Sequence, residues 1–148
     1  MDKFNLERFV KAQENQMYTY RDAFEEISSG RKRTHWIWYV FPQLKFLGRS
    51  DYALYYGISG LEEAKAYIEH PVLGKRLREI TAVLLTLDTD DALSVMGSPD
   101  NRKLLSCMTL FAHATEDNEV FLKVIEKYFG GRQDGRTAGY LESVANKE

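Results

Sequence analysis

The chain has 148 residues, a formal net charge of −2 and a hydrophobic content of 44%. This length fits a single domain, and this share of apolar side chains argues against a disordered protein. The near balance of 20 basic and 22 acidic side chains argues against a general nucleic-acid binder, because such proteins neutralise many phosphates. A lone cysteine, Cys107, excludes an intramolecular disulfide and fits a reducing compartment. With no apolar signal core near residue 1 and no long apolar run, we expect a soluble cytoplasmic protein without a membrane partner.

Helical spacing dominates the first third of the chain. Apolar positions in residues 6–10 predict a short first helix, which Asn5 could cap. Apolar residues from 17 to 27 recur every three or four positions and predict a second helix, which Gly30 would end. The run at 35–41 is apolar on every side, so periodicity alone does not separate a strand from a buried helix. The helical surroundings favour a short buried helix there.

Helix-start residues and apolar spacing predict helices in most of the remaining chain as well. The segments concerned are residues 50–56, 59–68, 71–84, 91–96, 98–111 and 118–129. Residues 132–148 form a polar C-terminal tail, with at most one weak helical turn around Tyr140. We therefore predict an all-α fold, a single compact domain over residues 1–148 with about seven to nine short-to-medium helices. An α+β fold with a strand at 35–41 is the alternative.

The sequence contains none of the common catalytic or cofactor motifs. It has no Walker loop, no dinucleotide-binding glycine fingerprint, no His-Glu-x-x-His and no Gly-x-Ser-x-Gly. The three histidines, His35, His70 and His113, are far apart and lack the spacing of metal ligands, so we predict no metal site and no cofactor. Cys107 lies within an apolar helix, where a cysteine is usually a small buried residue rather than a nucleophile.

A cluster of basic and aromatic residues is the strongest local signal of a ligand site. Three cations at 31–33 precede a predicted helix start, and His35, Trp36 and Trp38 follow. The N–H groups at a helix start attract anions, arginine adds bidentate donors, and tryptophan faces stack on planar rings. We therefore predict that Arg33 holds an anion, that either tryptophan stacks, and that His35 is the acid–base candidate. The alternative is a solvated basic loop followed by core tryptophans.

Four further residues extend this candidate site. The Gln43 amide offers both a donor and an acceptor, and Arg49 again places a cation beside a helix start, at Ser50. His70 has a side chain suited to proton transfer or to ligand binding. The alternatives are structural: turn formation at 48–50, and helix capping by His70.

Several runs in the sequence resemble one known family. The run HWIWYVFPQ at 35–43 and the run LGRS at 47–50 are similar to the signature of the DUF1810 family. The runs HPVLGKRL at 70–77, SCMTLF at 106–111 and FGG at 129–131 extend the resemblance over nearly the whole chain. The resemblance implies a predominantly α-helical fold and implies no activity or site residue, since the family has no known function. Some relatives carry the name calpastatin, but such inhibitors are disordered and proline-rich, whereas this chain has three prolines.

Two classes of function remain open at this stage. The first is a small enzyme or binder of a phosphorylated or nucleotide-derived small molecule at the segment 31–50. The second is a protein–protein interaction or regulatory module without catalysis, which would expose an apolar or aromatic patch rather than a cleft. Nucleic acid is an unfavoured partner, because the chain is nearly neutral. The sequence indicates neither an oligomeric state nor whether the candidate side chains converge.

Overall fold

Helices account for all the regular secondary structure in the part of the chain that the computed structural model describes, residues 2–145. The prediction of an all-α fold is therefore confirmed. One short 3-10 helix, Lys45–Leu47, lies between the third and fourth α-helices. The α-helices are α1 (Glu7–Asn15), α2 (Tyr20–Ser28), α3 (Ile37–Val40), α4 (Asp51–Tyr55), α5 (Leu61–Glu69), α6 (Leu73–Leu84), α7 (Ala92–Met96), α8 (Asp100–Ala114), α9 (Glu119–Phe129) and α10 (Gly135–Ala145).

The helix α8 is the central element of the core. It contacts α5, α7, α9 and α10, and most of its residues are buried. A helix that is apolar around most of its circumference must be covered on several sides, and this explains its position. Cys107 on this helix is fully buried, as its apolar neighbours in the sequence predict. No helix within the described residues is long and apolar enough to cross a membrane.

Within the aromatic run 35–41, residues 37–40 form the short helix α3, as predicted, and not a strand. Four residues in this run besides Trp36 are at most 2% exposed, which explains why the run lacks an amphipathic period: Ile37, Tyr39, Val40 and Phe41. The one β-type contact among the described residues is an isolated parallel bridge between Leu44 and Ile58. This bridge holds the loop after α3 in place, and the same loop contains Gln43, one of the predicted site residues.

The C-terminal segment differs from the predicted polar tail. Residues 135–145 form α10, where the sequence suggests a single turn, so the described chain has ten α-helices instead of seven to nine. Asp134 supports this helix because its carboxylate accepts the backbone N–H and the hydroxyl of Thr137, at 3.0 and 2.6 Å. The Asp134 N–H donates to the Thr109 hydroxyl on α8 at 2.9 Å. Residues 146–148 of the predicted tail lie outside the described residues.

The start of the first helix also differs from its prediction. Asn5 does not cap α1; its backbone has a φ of 54°. The Asp2 carboxylate caps the helix instead, because it accepts the backbone N–H groups of Leu6 and Glu7 at 2.7 and 2.9 Å. An aspartate accepts such bonds as well as an asparagine does, and its charge also suits the positive end of the helix.

Candidate functional site

The basic segment before α3 already binds a carboxylate of the chain itself. Glu26 Oε1 accepts the backbone N–H groups of Arg33 and Thr34, at 2.6 and 2.9 Å, and the indole N–H of Trp36 at 3.0 Å. Glu26 Oε2 accepts the Thr34 hydroxyl at 2.6 Å. Burial of the Glu26 carboxyl raises its pKa, but the hydrogen bonds from Thr34, Arg33 and Trp36 outweigh this effect, so the pKa is lowered. These N–H groups are thus already satisfied by an acceptor of the chain itself.

The two tryptophans lie in different surroundings. Trp36 is fully buried, with the Lys32 ammonium 4.9 Å from the centre of its ring. Lys32 is also buried; its ammonium forms a 2.8 Å salt bridge with Asp100 and donates to the Thr34 carbonyl oxygen. Trp38, in contrast, is half-buried and lines a surface cleft. Of the two rings, Trp38 is the one that a ligand can reach.

The cleft opens between the segment 32–38 and the start of α8. Its first part, here called the aromatic lobe, has a volume of 370 Å³. Trp38 contributes an aromatic ring to this lobe, and the exposed residues Arg33 and His35 also line it. The His35 ring packs edge-on against Tyr18, with 6.0 Å between the ring centres. This lobe therefore combines a stacking surface with one cation and one imidazole.

The second part of the cleft, here called the basic lobe, adjoins the first at Pro99 and Lys103 and has a volume of 300 Å³. Arg102 and Lys103 come from the first turns of α8, and Arg136 comes from α10. Gln43, in the loop after α3, adds its amide to the wall. Three segments that are distant in sequence therefore meet in this lobe.

The charges of the basic lobe favour an anionic ligand. Among the described residues, the guanidinium groups of Arg102 and Arg136 form no hydrogen bond or salt bridge, and Arg136 lies 5.7 Å from the centre of the Phe46 ring. Asp134, the one described carboxylate that lines this lobe, is engaged in capping α10 through Thr137. Three cations around one engaged carboxylate produce a positive local potential, which attracts anions.

Lys103 lines both lobes and is the residue at which they meet. Its ammonium lies 5.5 Å from the centre of the Trp38 ring and 3.9 Å from an Asp100 oxygen. Asp100 has a closer partner in Lys32, at 2.8 Å. The indole N–H of Trp38 is buried and has no hydrogen-bond partner among the described residues. Both Lys103 and Trp38 therefore keep donors that the protein's own acceptors do not use.

Four of the predicted site residues line the cleft. Arg33, His35 and Trp38 lie in the aromatic lobe, and Gln43 lies in the basic lobe. The fold thus brings together side chains that span eleven positions of the sequence. The roles predicted for them, including proton transfer by His35, stay predictions.

The other four predicted site residues lie apart from the cleft. Trp36 belongs to the core. Ser50 Oγ accepts a backbone N–H at 3.1 Å and caps α4, and Arg49 precedes it on the exposed surface. His70 Nδ1 accepts two backbone N–H groups before α6, at 3.1 and 3.2 Å. Capping and packing therefore account for the contacts of Trp36, Ser50 and His70.

The cations of the basic lobe are absent from the sequence-based set of site residues. One signal for them exists in the sequence: Arg102 and Lys103 stand in the first turns of a helix, where the helix dipole disfavours positive charge. Cations at such an unfavourable position suggest a role other than helix stability. Arg136 gives no such signal, because its helix has few apolar residues and was not predicted. Within residues 2–145, no group of three or more histidine, cysteine, aspartate or glutamate residues could hold a metal ion.

The fold and cleft define an all-α domain with a basic and aromatic surface cleft, and sequence comparison identifies its family. The chain belongs to the family described as "Protein of unknown function (DUF1810)", whose model matches residues 3–141. The resemblance noted in the sequence is thereby confirmed. A solved structure, the conserved hypothetical protein Rv1873 from Mycobacterium tuberculosis, is similar at 48% identity with a TM-score of 0.90; the match covers 94% of this chain and 97% of that one. No curated protein matches the chain.

Proposed function

We propose that the protein binds a small phosphorylated molecule in the cleft, with the phosphate in the basic lobe. The observation that carries the proposal is the convergence of Arg102, Lys103 and Arg136 on one 300 Å³ space. A phosphate monoester matches this space because it presents several acceptor oxygens and a double negative charge. Two guanidinium groups can bind such oxygens in pairs, and an ammonium adds a mobile point charge.

The volumes of the two lobes support a small-molecule ligand. Small-molecule sites usually span roughly 300–1,000 Å³, so the basic lobe at 300 Å³ accommodates a phosphate with only part of its alcohol. The adjoining aromatic lobe, at 370 Å³, provides room for the remainder. Gln43 supplies a neutral donor beside the cations. The proposal concerns binding; catalysis by His35 would require the reacting bond to lie in the aromatic lobe.

Calorimetric titration with matched pairs of ligands tests this proposal. Ribose 5-phosphate, glucose 6-phosphate and AMP are each compared with ribose, glucose and adenosine, up to about 5 mM. We expect at least one phosphate ester to bind while its alcohol does not. The substitutions Arg102→Gln and Arg136→Gln should each weaken that binding about tenfold, because each removes a charge-assisted contact.

Arg21→Gln is the matched control for these variants. Arg21 is exposed on α2, pairs with Glu25 at 3.3 Å and lines neither lobe. The substitution Arg21→Gln removes the same charge from the chain as the two test substitutions do. A general electrostatic effect on binding would therefore appear in all three variants. Failure of every phosphate ester to bind, or equal weakening by Arg21→Gln, would overturn the proposal.

A second candidate function is protein–protein interaction, which an exposed aromatic surface favours. Phe46, Tyr52, Leu54 and Tyr55 lie within ten positions of each other and are 42–57% exposed. Phe46 and Leu54 line one surface depression, and exposed apolar side chains of this kind are typical of a contact site. A photo-crosslinking residue at position 55 should capture a specific protein in cells, whereas the same residue at the exposed position 25 should not. Equal crosslinking at the two positions would exclude this candidate.

A further inference from the structure

We infer that the ligand is a nucleoside monophosphate, with its phosphate in the basic lobe and its base against Trp38. Lys103 links the two lobes, because its movement toward the phosphate frees the Trp38 ring for the base. The inference rests on the proposed function and names the ligand class for the same cleft. It depends on three features: the position of Trp38 in the wall of the cleft, the weak contacts of Lys103, and the difference in charge between the lobes.

The Trp38 ring has the properties of a stacking surface. It is half-buried and lines the aromatic lobe, whereas Trp36 is enclosed by the core. Tyr52 packs edge-on against Trp38, with 5.0 Å between ring centres and an interplanar angle of 86°. This contact fixes the orientation of the indole. A ring held in this way can stack on a nucleobase, since every base has a π face.

Lys103 covers the Trp38 ring only weakly. Its ammonium is 5.5 Å from the ring centre and 3.9 Å from Asp100, too far for a hydrogen bond to that carboxylate. The Lys103 side chain is partly buried, at 25% exposure, but it is long and flexible, so its ammonium can move to a nearby anion. A phosphate in the basic lobe is a stronger partner for this ammonium than a ring face is. Binding of the phosphate would therefore draw Lys103 away from Trp38 and free the ring for the base.

The charges of the aromatic lobe favour an uncharged ring over a second phosphate. Asp100 and Lys32 neutralise each other through their 2.8 Å salt bridge. If Lys103 binds the phosphate in the other lobe, Arg33 is the cation that the described residues leave in the aromatic lobe. Lys103 and Pro99 line both lobes, so a ligand that displaces the Lys103 ammonium from the Trp38 ring can reach from one lobe into the other. A nucleoside monophosphate fits this arrangement, with its base in the aromatic lobe, its ribose near Lys103 and its phosphate in the basic lobe.

A comparison of ligands with and without a base tests the inference. AMP, GMP, CMP and UMP are titrated into the protein, with ribose 5-phosphate as the matched ligand that lacks the base. We expect at least one nucleotide to bind about tenfold more tightly than ribose 5-phosphate, a factor typical of base stacking on an aromatic side chain. Trp38→Leu should remove this advantage, so that no nucleotide binds more tightly to the variant than ribose 5-phosphate does.

Tryptophan fluorescence provides a second readout that does not depend on a Trp38 variant folding. In the wild-type protein, ribose 5-phosphate alone should alter the emission of Trp38, because Lys103 moves away from the ring. Lys103→Met keeps the apolar stem and removes the ammonium, so this change should disappear at a ribose 5-phosphate concentration that saturates the variant. A change of the same size in the saturated variant would overturn the role of Lys103. Lys11→Met, at an exposed position on α1, is the control and should behave like the wild type.

The outcomes separate this inference from the proposed function. If ribose 5-phosphate binds in a manner that depends on Arg102, and no nucleotide binds more tightly, the phosphate site stands and the inference is overturned. If the nucleotides bind more tightly and Trp38→Leu does not reduce the difference, the base lies elsewhere and the inference is also overturned. If no phosphate ester binds, the proposed function itself fails.

Discussion

The indole N–H of Trp36 donates to a carboxylate oxygen of Glu26 at 3.0 Å, ten positions earlier in the chain. The same carboxylate also accepts the backbone N–H groups of Arg33 and Thr34. Glu26 therefore acts as an internal anion for the basic segment before α3. This contact occupies the backbone N–H groups that the sequence offers to an anion at the start of α3.

Glu26→Gln should destabilise the protein at neutral pH. The substitution replaces a charged acceptor of four hydrogen bonds by a neutral amide that accepts fewer, and bonds to charged groups contribute about 1.5–3 kcal/mol. We expect the free energy of unfolding to fall by about 2 kcal/mol in urea denaturation. Glu25→Gln, at the exposed neighbouring position, should change it by less than about 0.5 kcal/mol. Equal effects of the two substitutions would contradict the role assigned to Glu26.

The contribution of Glu26 should also depend on pH. The pKa of Glu26 is lower in the folded protein than in the unfolded chain. Its stabilisation is therefore complete above the ordinary pKa of glutamate and is lost as the pH falls through the folded value. The difference in unfolding free energy between the wild type and Glu26→Gln should stay constant from pH 7 to about pH 5 and shrink as the pH falls further. A difference that grows on acidification would show that the pKa is raised.

Glu63→Gln should destabilise the protein strongly. The Arg8 guanidinium is buried and donates to four backbone carbonyl oxygens and, at 2.8 Å, to Glu63. Removal of one partner leaves the other charge buried and uncompensated, at a cost of about 3 kcal/mol or more. Glu62→Gln should have little effect, because its contact with Lys3 is exposed and 4.0 Å long. Urea denaturation of both variants measures the contrast, and a cost below about 1 kcal/mol for Glu63→Gln would be inconsistent with a buried ion pair.

Two glycine-to-alanine substitutions should change stability in opposite directions. A Cβ atom at Gly74 would lie 2.0 Å from the Ile68 carbonyl oxygen, so α5 and α6 would have to move apart. Such overpacking typically costs about 1–3 kcal/mol. A Cβ atom at Gly139, inside α10, meets nothing within 4 Å. Gly139→Ala should therefore stabilise the protein by about 0.5–1 kcal/mol through helix propensity. Thermal denaturation should lower the Tm of the first variant and raise that of the second; the same sign for both would contradict this packing.

Cys107 should be unreactive in the folded protein. Its thiol is fully buried, and burial raises its pKa well above the ordinary value, so little thiolate is present and reagents lack access. A thiol-specific chromogenic reagent should modify no cysteine under native conditions and one per chain in denaturant. Rapid modification of the native protein would show that reagents reach Cys107 and that α8 is not enclosed there.

The helices were predictable because their patterns are local. The buried positions of α9, for example, follow directly from the spacing of its apolar residues, and Gly130 adopts the left-handed conformation that ends the helix. The short helix α3 lacks such a period and was predicted from its surroundings. The helix α10 was underestimated because its buried residues are few, Thr137 and Leu141, and its cap depends on Asp134.

The candidate site was only partly predictable, because it forms from distant segments. Trp38 and Gln43 were predicted from their chemical types, and both line the cleft. The position of Arg136 beside Arg102 depends on how α10 packs against α8, and no local pattern reports that contact. The hydrogen bond from Trp36 to Glu26 was likewise not predictable, because the sequence does not indicate how α2 and the following loop meet.

The central claim is that a phosphate monoester binds in the basic lobe. Amide and indole NMR shifts recorded during a titration with AMP test it most directly. We predict that the largest shifts occur at residues 102, 103 and 136 and at the indole of Trp38, while the indole of Trp36, bonded to Glu26, stays unchanged. Shifts confined to residues 31–33 and 49, with none at 102 and 136, would contradict the claim.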